Sequence, residues 1–583
     1  MTTFKKSALW LLKTVLGSFI AMWIFFFTAL FIFIFFVVLA AIPQNNAVEN
    51  AYLRLSFSSP VAEHPTADFD LFNLNKIDVS FYDLLKAVKT ATTDDEVKGI
   101  YLDLDFWELS ANQTNELKYA LGQFKKSNKP VIAYATMIDN SRFIAALEVD
   151  CLAMPDSNSA IVSLTGYRAK FPYYKGLIDK VGMDVNVVHI GDFKAFGENY
   201  AHNKMSVAFR SELNKILNTL HVDNISAMHH KITDHQFSSK LENGDYAMIT
   251  AKEALNIGAV DMLALSSQVT KKFFSDAKPI NWELYQQVTA NEGYDSGKGD
   301  FIALLSLEGS ILNDQPGDVT LSHQKIITPK LVQKACKSIL ENPRVKGVVI
   351  RVNSPGGSAL ASEIIFQELE LLKKELPVYV SMGSVAASGG YYISCHADKI
   401  FADSKTITGS IGVVSVIPNF ARLTKNIGIN IESISKGRYA DLLAPTVATD
   451  PVELKLLERS MGKIYEEFTG RVSASRKISP SKLQRLAEGR VWTGAQAVEN
   501  RLIDEVGGLS NAINQLASEL DLKNYTVKCY PRKSTLFEKL LGVDLEPQVK
   551  LPTVLQGVLN ELSTFQALSH QPLMILPTVP HLK

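Results

Sequence analysis

The chain has 583 residues, of which 46% are hydrophobic, and its 60 basic and 60 acidic side chains give a formal net charge of zero. A chain of this length is too long to fold around a single hydrophobic core, so we expect two globular domains. The balanced charge argues against a nucleic-acid partner. Four widely separated cysteines without a Cys-x-x-Cys pair argue against a zinc site and a disulfide framework.

An uncharged apolar run occupies residues 15–42. It is longer than the roughly 20 residues that a helix needs to cross a bilayer. Lys5, Lys6 and Lys13 precede the run, and Glu49 is the first charged residue after it. These features predict a retained single-pass anchor rather than a cleaved signal, with the body of the protein on the far side from the cytoplasm. A bacterial inner membrane with a periplasmic ectodomain fits this arrangement.

The remainder of the chain repeats itself. Val-Lys-Gly-Ile-Tyr-Leu-Asp-Leu at 97–104 recurs 248 positions later as Val-Lys-Gly-Val-Val-Ile-Arg-Val at 345–352. Further pairs follow in the same order, at Pro130 and Pro377, Asp150 and Asp398, Thr165-Gly166 and Thr408-Gly409, and Thr250 and Thr493. Self-similarity over this length predicts two copies of one domain.

Each copy alternates short β-branched runs with amphipathic segments. In the second copy, Ile365, Leu369 and Leu372 follow the apolar run 347–352 at helical spacing. This βαβ alternation predicts an α/β fold with parallel sheets and right-handed crossovers. The lead-in at residues 51–81 is assigned to peripheral strands.

The repeat and the anchor divide the chain into four parts. Residues 1–44 are a cytoplasmic stub and transmembrane anchor, 50–290 the first copy, 300–530 the second copy, and 533–583 a tail. A polar linker at about 292–299 joins the two copies.

Two glycine-rich motifs in the second copy suggest chemistry. Ala-Ala-Ser-Gly-Gly, with Ser388 at its centre, follows a strand-like run, and Asn-Ser-Pro-Gly-Gly at 353–357 lies one strand and one helix earlier. Acyl transfer needs a nucleophile and free backbone N–H groups for the oxyanion. We therefore predict Ser388 as a nucleophile, with the N–H groups of Gly356 or Gly357 and of Gly389 as oxyanion donors. The alternatives are a serine that only caps a helix and a glycine pair that only forms a turn.

The first copy lacks these residues. The offset of the repeat places Asn140 opposite Ser388, and Glu108-Leu109 opposite Gly356-Gly357. At the Gly-x-Phe/Tyr position, however, the first copy has Lys194 where the second has Ala440. Each copy thus keeps half of a catalytic set, which predicts one composite site per chain.

A lysine can act as the general base for a serine only when it is neutral, which requires burial. Ile190, Phe193 and Phe196 provide apolar neighbours for Lys194. The alternative is that Lys194 is an ordinary surface lysine. Histidine is a poorer candidate for the base. His396 would lie on the same helix as Ser388, and the cluster formed by His229, His230 and His235 has no metal-binding spacing and fits a polar helix face better.

Taken in series, Asn-Ser-Pro-Gly-Gly, Ala-Ala-Ser-Gly-Gly-Tyr-Tyr, Thr-Gly-Ser-Ile-Gly at 408–412 and Gly-x-Phe-Lys at 191–194 resemble the long, duplicated form of the signal peptide peptidase A (protease IV) family. The resemblance covers about residues 51–522. It implies a crotonase-like or Clp-protease-like fold for each copy and a membrane-attached homotetramer. It also implies a serine endopeptidase that removes released signal peptides and other hydrophobic peptides without a metal or cofactor.

The resemblance also implies roles for individual residues. Ser388 matches the nucleophile, Lys194 the general base, and Ser410 a hydroxyl that orients the lysine amine. Two other functions stay open on the sequence alone: a crotonase-like acyl-CoA enzyme, and a non-catalytic membrane scaffold of the same fold.

Overall fold

The computed structural model describes residues 48–64, 79–291, 299–314, 325–523, 525–531 and 572–576, with shorter pieces between residues 17 and 32. Within these residues no helix combines the length and apolar character needed to cross a membrane. The predicted anchor at 15–42 lies partly outside the described residues, as does most of the predicted tail at 533–583.

The first copy contains ten strands and ten α-helices among its described residues. The strands are β1 (Ala51–Phe57), β2 (Val97–Trp107), β3 (Val131–Tyr134), β4 (Met137–Asp139), β5 (Cys151–Met154), β6 (Ile161–Ser163), β7 (Asp184–Ile190), β8 (Ile249–Thr250), β9 (Met262–Leu263) and β10 (Lys278–Asn281). The helices are α1 (Phe81–Thr93), α2 (Ala111–Phe124), α3 (Asn140–Ala145), α4 (Lys175–Val181), α5 (Glu198–Ala201), α6 (Val207–His229), α7 (Phe237–Asn243), α8 (Ala251–Asn256), α9 (Ser266–Phe274) and α10 (Trp282–Asn291).

The described residues after the linker contribute thirteen strands and eight α-helices. The strands are β11 (Phe301–Glu308), β12 (Ser310–Ile311), β13 (Ile326–Ile327), β14 (Val345–Ser354), β15 (Gly356–Ser358), β16 (Val378–Ala387), β17 (Lys399–Ala402), β18 (Ile407–Gly409), β19 (Val413–Asn419), β20 (Val491–Thr493), β21 (Glu505–Val506), β22 (Thr526–Tyr530) and β23 (Leu573–Ile575). The helices are α11 (Pro329–Leu340), α12 (Ala359–Glu375), α13 (Gly389–Tyr392), α14 (Ala421–Asn426), α15 (Pro451–Arg476), α16 (Pro480–Leu486), α17 (Gly494–Glu499) and α18 (Leu509–Glu519).

Each copy has its own main sheet, built mostly from parallel strands. The order is β10-β1-β2-β3-β5-β9 in the first copy, where every pair is parallel. In the second copy it is β20-β18-β16-β14-β11-β22, with β17 and β21 extending from β16. Strands such as β3 and β11 are buried on both faces, as helices on either side of a parallel sheet require. The predicted α/β class with parallel sheets is confirmed, whereas the likeness to the crotonase or Clp fold stays a prediction.

The prediction of peripheral strands for the lead-in was wrong. Strand β1 lies inside the first sheet, hydrogen-bonded to β10 on one side and to β2 on the other. Its alternation of apolar and polar residues is typical of a half-exposed strand, but Leu53, Leu55 and Phe57 are buried beneath α1 and α2 while Tyr52 stacks on Phe274. An alternating pattern therefore did not mark an edge here.

Matching residues in the two copies make matching contacts. Asp150 accepts a hydrogen bond from the N–H of Val131 at 2.8 Å, and Asp398 accepts one from the N–H of Val378 at 2.9 Å. Capping boxes begin α8 at Thr250 and α17 at Thr493. The offset seen in the sequence therefore corresponds to repeated local structure.

A third sheet joins the copies, with the order β13-β12-β15-β23-β19-β7. Strand β7 from the first copy pairs antiparallel with β19 from the second, from Val413 opposite Ile190 to Asn419 opposite Asp184. Val185 and Val187 of β7 share one apolar cluster with Val414 and Val416 of β19. Since Lys194 follows β7 by four residues, this pairing carries a loop of the first copy onto the second.

A buried ion cluster lies at another contact between the copies. The guanidinium of Arg351 is fully buried and lies 3.0 Å from a carboxylate oxygen of Glu63 and 2.7 Å from one of Glu116. It also donates to Ser381 Oγ and to the carbonyl oxygen of Met382. A buried charge is tolerated only when it is paired and hydrogen-bonded, so the second copy depends on carboxylates from the first.

Candidate active site

The loop that ends in Lys194 is fastened to the second copy. Phe193 donates its N–H to the carbonyl oxygen of Glu488 at 2.9 Å, and the guanidinium of Arg490 lies 3.5 Å from the centroid of the Phe193 ring. Gly489 has a φ of 82°, and a Cβ at this position would lie 2.4 Å from the Lys194 nitrogen. The backbone of the second copy thus closes directly over Lys194.

The amine of Lys194 meets two serines of the second copy. Its Nζ lies 2.7 Å from Ser388 Oγ, 2.9 Å from Ser410 Oγ and 2.8 Å from the carbonyl oxygen of Ser410. All three residues are buried, with relative exposures of 2%, 0% and 0%. The structure thus brings together the three side chains that the sequence singled out from opposite halves of the chain.

Burial lowers the pKa of Lys194 well below its ordinary value of 10.5, because a protonated amine there would be removed from water. The two acidic residues nearest to it in sequence do not offset this effect. Asp192 is exposed, and the carboxylate of Glu198 accepts hydrogen bonds from the Tyr173 hydroxyl at 2.9 Å and the Ser206 N–H at 2.6 Å. The environment therefore favours a neutral amine.

Ser388 has an unusual backbone conformation for a residue with a side chain. Its φ is 54° and its ψ is −114°, a strained region that costs on the order of 1–3 kcal/mol and persists only where the surroundings enforce it. Its N–H donates to the carbonyl oxygen of Gly409 at 2.8 Å. The serine occupies the N-cap position of α13 but its side chain makes no capping hydrogen bond, so its hydroxyl serves Lys194 instead.

The two glycine motifs meet beside this serine. A Cβ added to Gly356 would lie 2.7 Å from the nitrogen of Gly389, and one added to Gly389 would lie 3.2 Å from the Cα of Gly356. Gly356 and Gly357 have φ values of 99° and 158°, which side-chain-bearing residues rarely adopt. The N–H of Gly356 donates to Ser354 Oγ at 3.1 Å.

Some residues of the site carried no clear signal in the sequence. Gly489 and Arg490 follow α16 in a stretch without a recognisable motif. Their contacts with Phe193 and Lys194 arise only because the two copies pack together. Gly412 was already part of the Thr-Gly-Ser-Ile-Gly motif, and a Cβ there would lie 3.2 Å from Lys194 Cδ.

The corresponding position of the first copy has a different arrangement. The side chain of Asn140 exchanges two hydrogen bonds with the backbone of Thr165, donating to its carbonyl oxygen and accepting from its N–H. An amide committed to the backbone cannot act as a nucleophile. The described part of the first copy therefore contributes Lys194 to the composite site and keeps no serine of its own there.

The chain is similar in sequence to known peptidases. A model of peptidase family S49 matches residues 123–278 and again residues 370–523, together more than half of the chain. Protease 4 of Haemophilus influenzae is 31% identical over 454 residues, covering 75% of this chain and 72% of that protein. Protease 4 of Salmonella typhi is 30% identical over 503 residues, covering 82% and 78%. The chloroplastic serine protease SPPA of Arabidopsis thaliana is 29% identical over 540 residues, covering 91% and 78%.

Two copies of an α/β domain that match this family, with a buried serine and a buried lysine in contact between them, identify the chain as a serine peptidase. The chain belongs to peptidase family S49, and the resemblance to protease IV and signal peptide peptidase A is confirmed.

We predict that Lys194 reduces the stability of the fold in a pH-dependent way. Between its lowered pKa and 10.5, the unfolded chain binds a proton that the folded chain does not, so stability falls as the pH falls through this window. Lys194→Met should raise the thermal unfolding midpoint relative to the parent at pH 7, and the difference should shrink as the pH approaches 10.5. The exposed Lys204→Met is the control and should show no such trend. A difference independent of pH would contradict the lowered pKa.

Proposed function

We propose that the chain is an endopeptidase in which Ser388 is the nucleophile, Lys194 the general base and Ser410 the residue that orients the amine. The observation that carries this proposal is the buried contact of 2.7 Å between Lys194 Nζ and Ser388 Oγ. A neutral amine has one lone pair and two N–H donors. The lone pair accepts the Ser388 hydroxyl proton, while the two donors bond to the hydroxyl and carbonyl oxygens of Ser410.

The mechanism follows from these positions. Lys194 takes the proton from Ser388 Oγ as the oxygen attacks the peptide carbonyl, and then delivers this proton to the leaving amine. Water, activated by the same amine, hydrolyses the acyl-enzyme. Because the N–H of Gly356 is already bonded to Ser354 Oγ, we assign oxyanion stabilisation to the N–H groups of Gly357 and Gly389.

The proposed substrates are released signal peptides and other apolar peptides. On the sheet that joins the copies, Val187, Val414 and Val416 form part of an apolar cluster that also includes Leu312 and Phe196, which follows Lys194 by two residues. A wall of this composition favours extended peptides with aliphatic side chains over charged ones. The family resemblance supports the same substrate class.

We also propose that residues 15–42 anchor the protein in the bacterial inner membrane, with the two copies on the periplasmic side. The apolar run and the three preceding lysines support this proposal. Described residues 21–29 are helical and expose large apolar side chains such as Phe25, which is 75% exposed. Such a surface is stable in lipid but not in water.

The predicted homotetramer gains support from two segments without a strand partner in the described chain. Residues 430–436 are the repeat counterpart of β7, and residues 170–174 lie in the counterpart of β19. Both are irregular, and Ile434 is 99% exposed. A β7–β19 type of pairing between neighbouring subunits would be head-to-tail, and such contacts form a ring when the rotation between subunits closes.

We predict that Ser388→Ala and Lys194→Ala each lower kcat/KM for a fluorogenic apolar peptide on the order of 1000-fold or more, because the two groups act as one unit. The double variant should be no worse than either single variant. Ser384→Ala, on the strand that precedes Ser388, and Lys405→Ala, a largely buried lysine, are matched controls that should keep the parent rate. Near-parent activity of either single dyad variant would exclude the proposed mechanism, whereas a parent without peptide hydrolysis would favour an acyl-CoA enzyme or a scaffold.

Membrane attachment is tested by fractionation of cells that produce the full chain. We expect the protein to stay in the membrane pellet after extraction at alkaline pH, and externally added protease to degrade residues 50–530 only after the outer membrane is opened. Release into the supernatant, or protection of these residues in spheroplasts, would contradict the anchor or its orientation.

Assembly is tested by one substitution in the unpaired segment. Ile434→Asp should lower the particle mass measured by light scattering from that of a tetramer towards that of a monomer, because a carboxylate would be buried in the new strand pair. Val207→Asp, at an equally exposed site on α6, is the control and should leave the mass unchanged. A tetramer that survives Ile434→Asp would contradict the proposed interface.

A further inference from the structure

Residues 488–490 of the second copy lie against the loop that carries Lys194. The N–H of Phe193, the residue before the lysine, donates to the carbonyl oxygen of Glu488 at 2.9 Å. A Cβ on Gly191 would lie 2.5 Å from the carbonyl carbon of Glu488, so the two backbones are in contact. This segment therefore fixes the lysine loop from the side of the second copy.

The same segment also holds the loop that contains Ser410. The N–H of Ser410 donates to the carbonyl oxygen of Arg490 at 2.7 Å, and the N–H of Gly489 donates to that of Ile411 at 2.7 Å. Ser410 has a φ of 53°, a conformation that persists only where surrounding contacts enforce it. Residues 488–490 thus set the distance between the lysine loop and the serine that is assigned to orient the amine.

The side chain of Arg490 reaches back over the lysine loop. Its guanidinium carbon lies 3.5 Å from the centroid of the Phe193 ring, and its Nη1 lies 3.2 Å from Glu212 Oε1. Glu212 belongs to α6 of the first copy and is only 5% exposed. A guanidinium can stack on an aromatic ring while its N–H groups bond to a carboxylate, which suits an arginine better than a lysine. Arg490 therefore links Phe193 to α6 through one side chain.

This contact matters because burial is what lowers the pKa of Lys194. The Phe193 ring is half-buried, and the Arg490 side chain, itself 25% exposed, covers one face of it. Without this cover the loop can move and water can reach the amine, which raises the pKa of Lys194 towards its ordinary value. The amine would then be protonated over more of the neutral pH range, and it would lie farther from Ser388.

We propose that Arg490 is a positioning residue of this peptidase, one that keeps Lys194 in contact with Ser388 and away from water. Glu212 holds the Arg490 side chain over the Phe193 ring. The proposal rests on the proposed function of Lys194 and Ser388 and adds a pair of residues that contact the loop of the base rather than the reacting atoms. Because each copy supplies one member of the pair, activity depends on a contact between the copies outside the sheet that joins them.

The main test compares Arg490→Gln with the parent, both as full chains, on a quenched fluorogenic peptide of aliphatic sequence. We expect kcat to fall on the order of tenfold with KM unchanged, because a displaced base slows the reaction without weakening substrate binding. The acidic limb of the pH profile of kcat/KM, which reports the neutral fraction of Lys194, should move to higher pH. Arg485→Gln, at an exposed position on α16, is the control and should keep the parent rate and profile.

A second variant leaves residues 488–490 and the Phe193 ring intact, so it does not depend on the folding of Arg490→Gln. Glu212→Gln removes the carboxylate charge and should move the acidic limb in the same direction by a smaller amount. Combined with Arg490→Gln, it should add nothing further, because the carboxylate acts through the guanidinium. Glu212 also accepts a hydrogen bond from Lys215 at 2.8 Å, and Lys215→Met is the control that should leave the profile unchanged.

A parent pH profile in Arg490→Gln would overturn the proposal. A lower kcat without movement of the acidic limb would overturn it too, since a loss of folded protein lowers the rate equally at every pH. Additive effects of the two substitutions would overturn the role of Glu212. Failure of the proposed function looks different, because hydrolysis would then persist in Ser388→Ala. Failure of the present inference alone leaves hydrolysis dependent on Ser388, with an acidic limb that Arg490→Gln does not move.

Discussion

The antiparallel pairing of β7 with β19 is the interaction on which the site depends. It is the contact that brings Lys194 of the first copy within 2.7 Å of Ser388 of the second. Neither copy holds both groups, and the described position opposite Ser388 in the first copy is an asparagine committed to the backbone. Since strand pairing fixes register, a shift of one residue would turn the valines of β7 away from their cluster and displace the lysine as well.

Several features of the site lower the stability of the folded chain. Lys194 is buried without a carboxylate partner among the described residues, and Ser388 and Ser410 both have positive φ values. The surrounding glycines, Gly412 and Gly489, allow close approach to the lysine but have no side chains that could pack against it. The apolar clusters on either side and the shared sheet offset these losses. Strain and desolvation at a reactive centre are common where neighbouring structure overdetermines the geometry.

The sequence allowed prediction of the α/β class, the repeat and the three side chains that meet between the copies, because these depend on local periodicity and on comparing one copy with the other. It could not show that β1 is internal, since alternation describes one strand and not its neighbours. Arg490 and Gly489 were missed because their roles arise from packing between distant segments. Strand β23 was missed for the same reason, as the tail has no motif that points to β15.

The Arg351 cluster sets the order in which the two copies can fold. Its carboxylate partners, Glu63 and Glu116, precede it by more than 200 residues, so they leave the ribosome well before it does. The second copy cannot bury this guanidinium favourably until the first has folded against it. The contact between Lys194 and Ser388 therefore forms only after both copies have been synthesised and have docked.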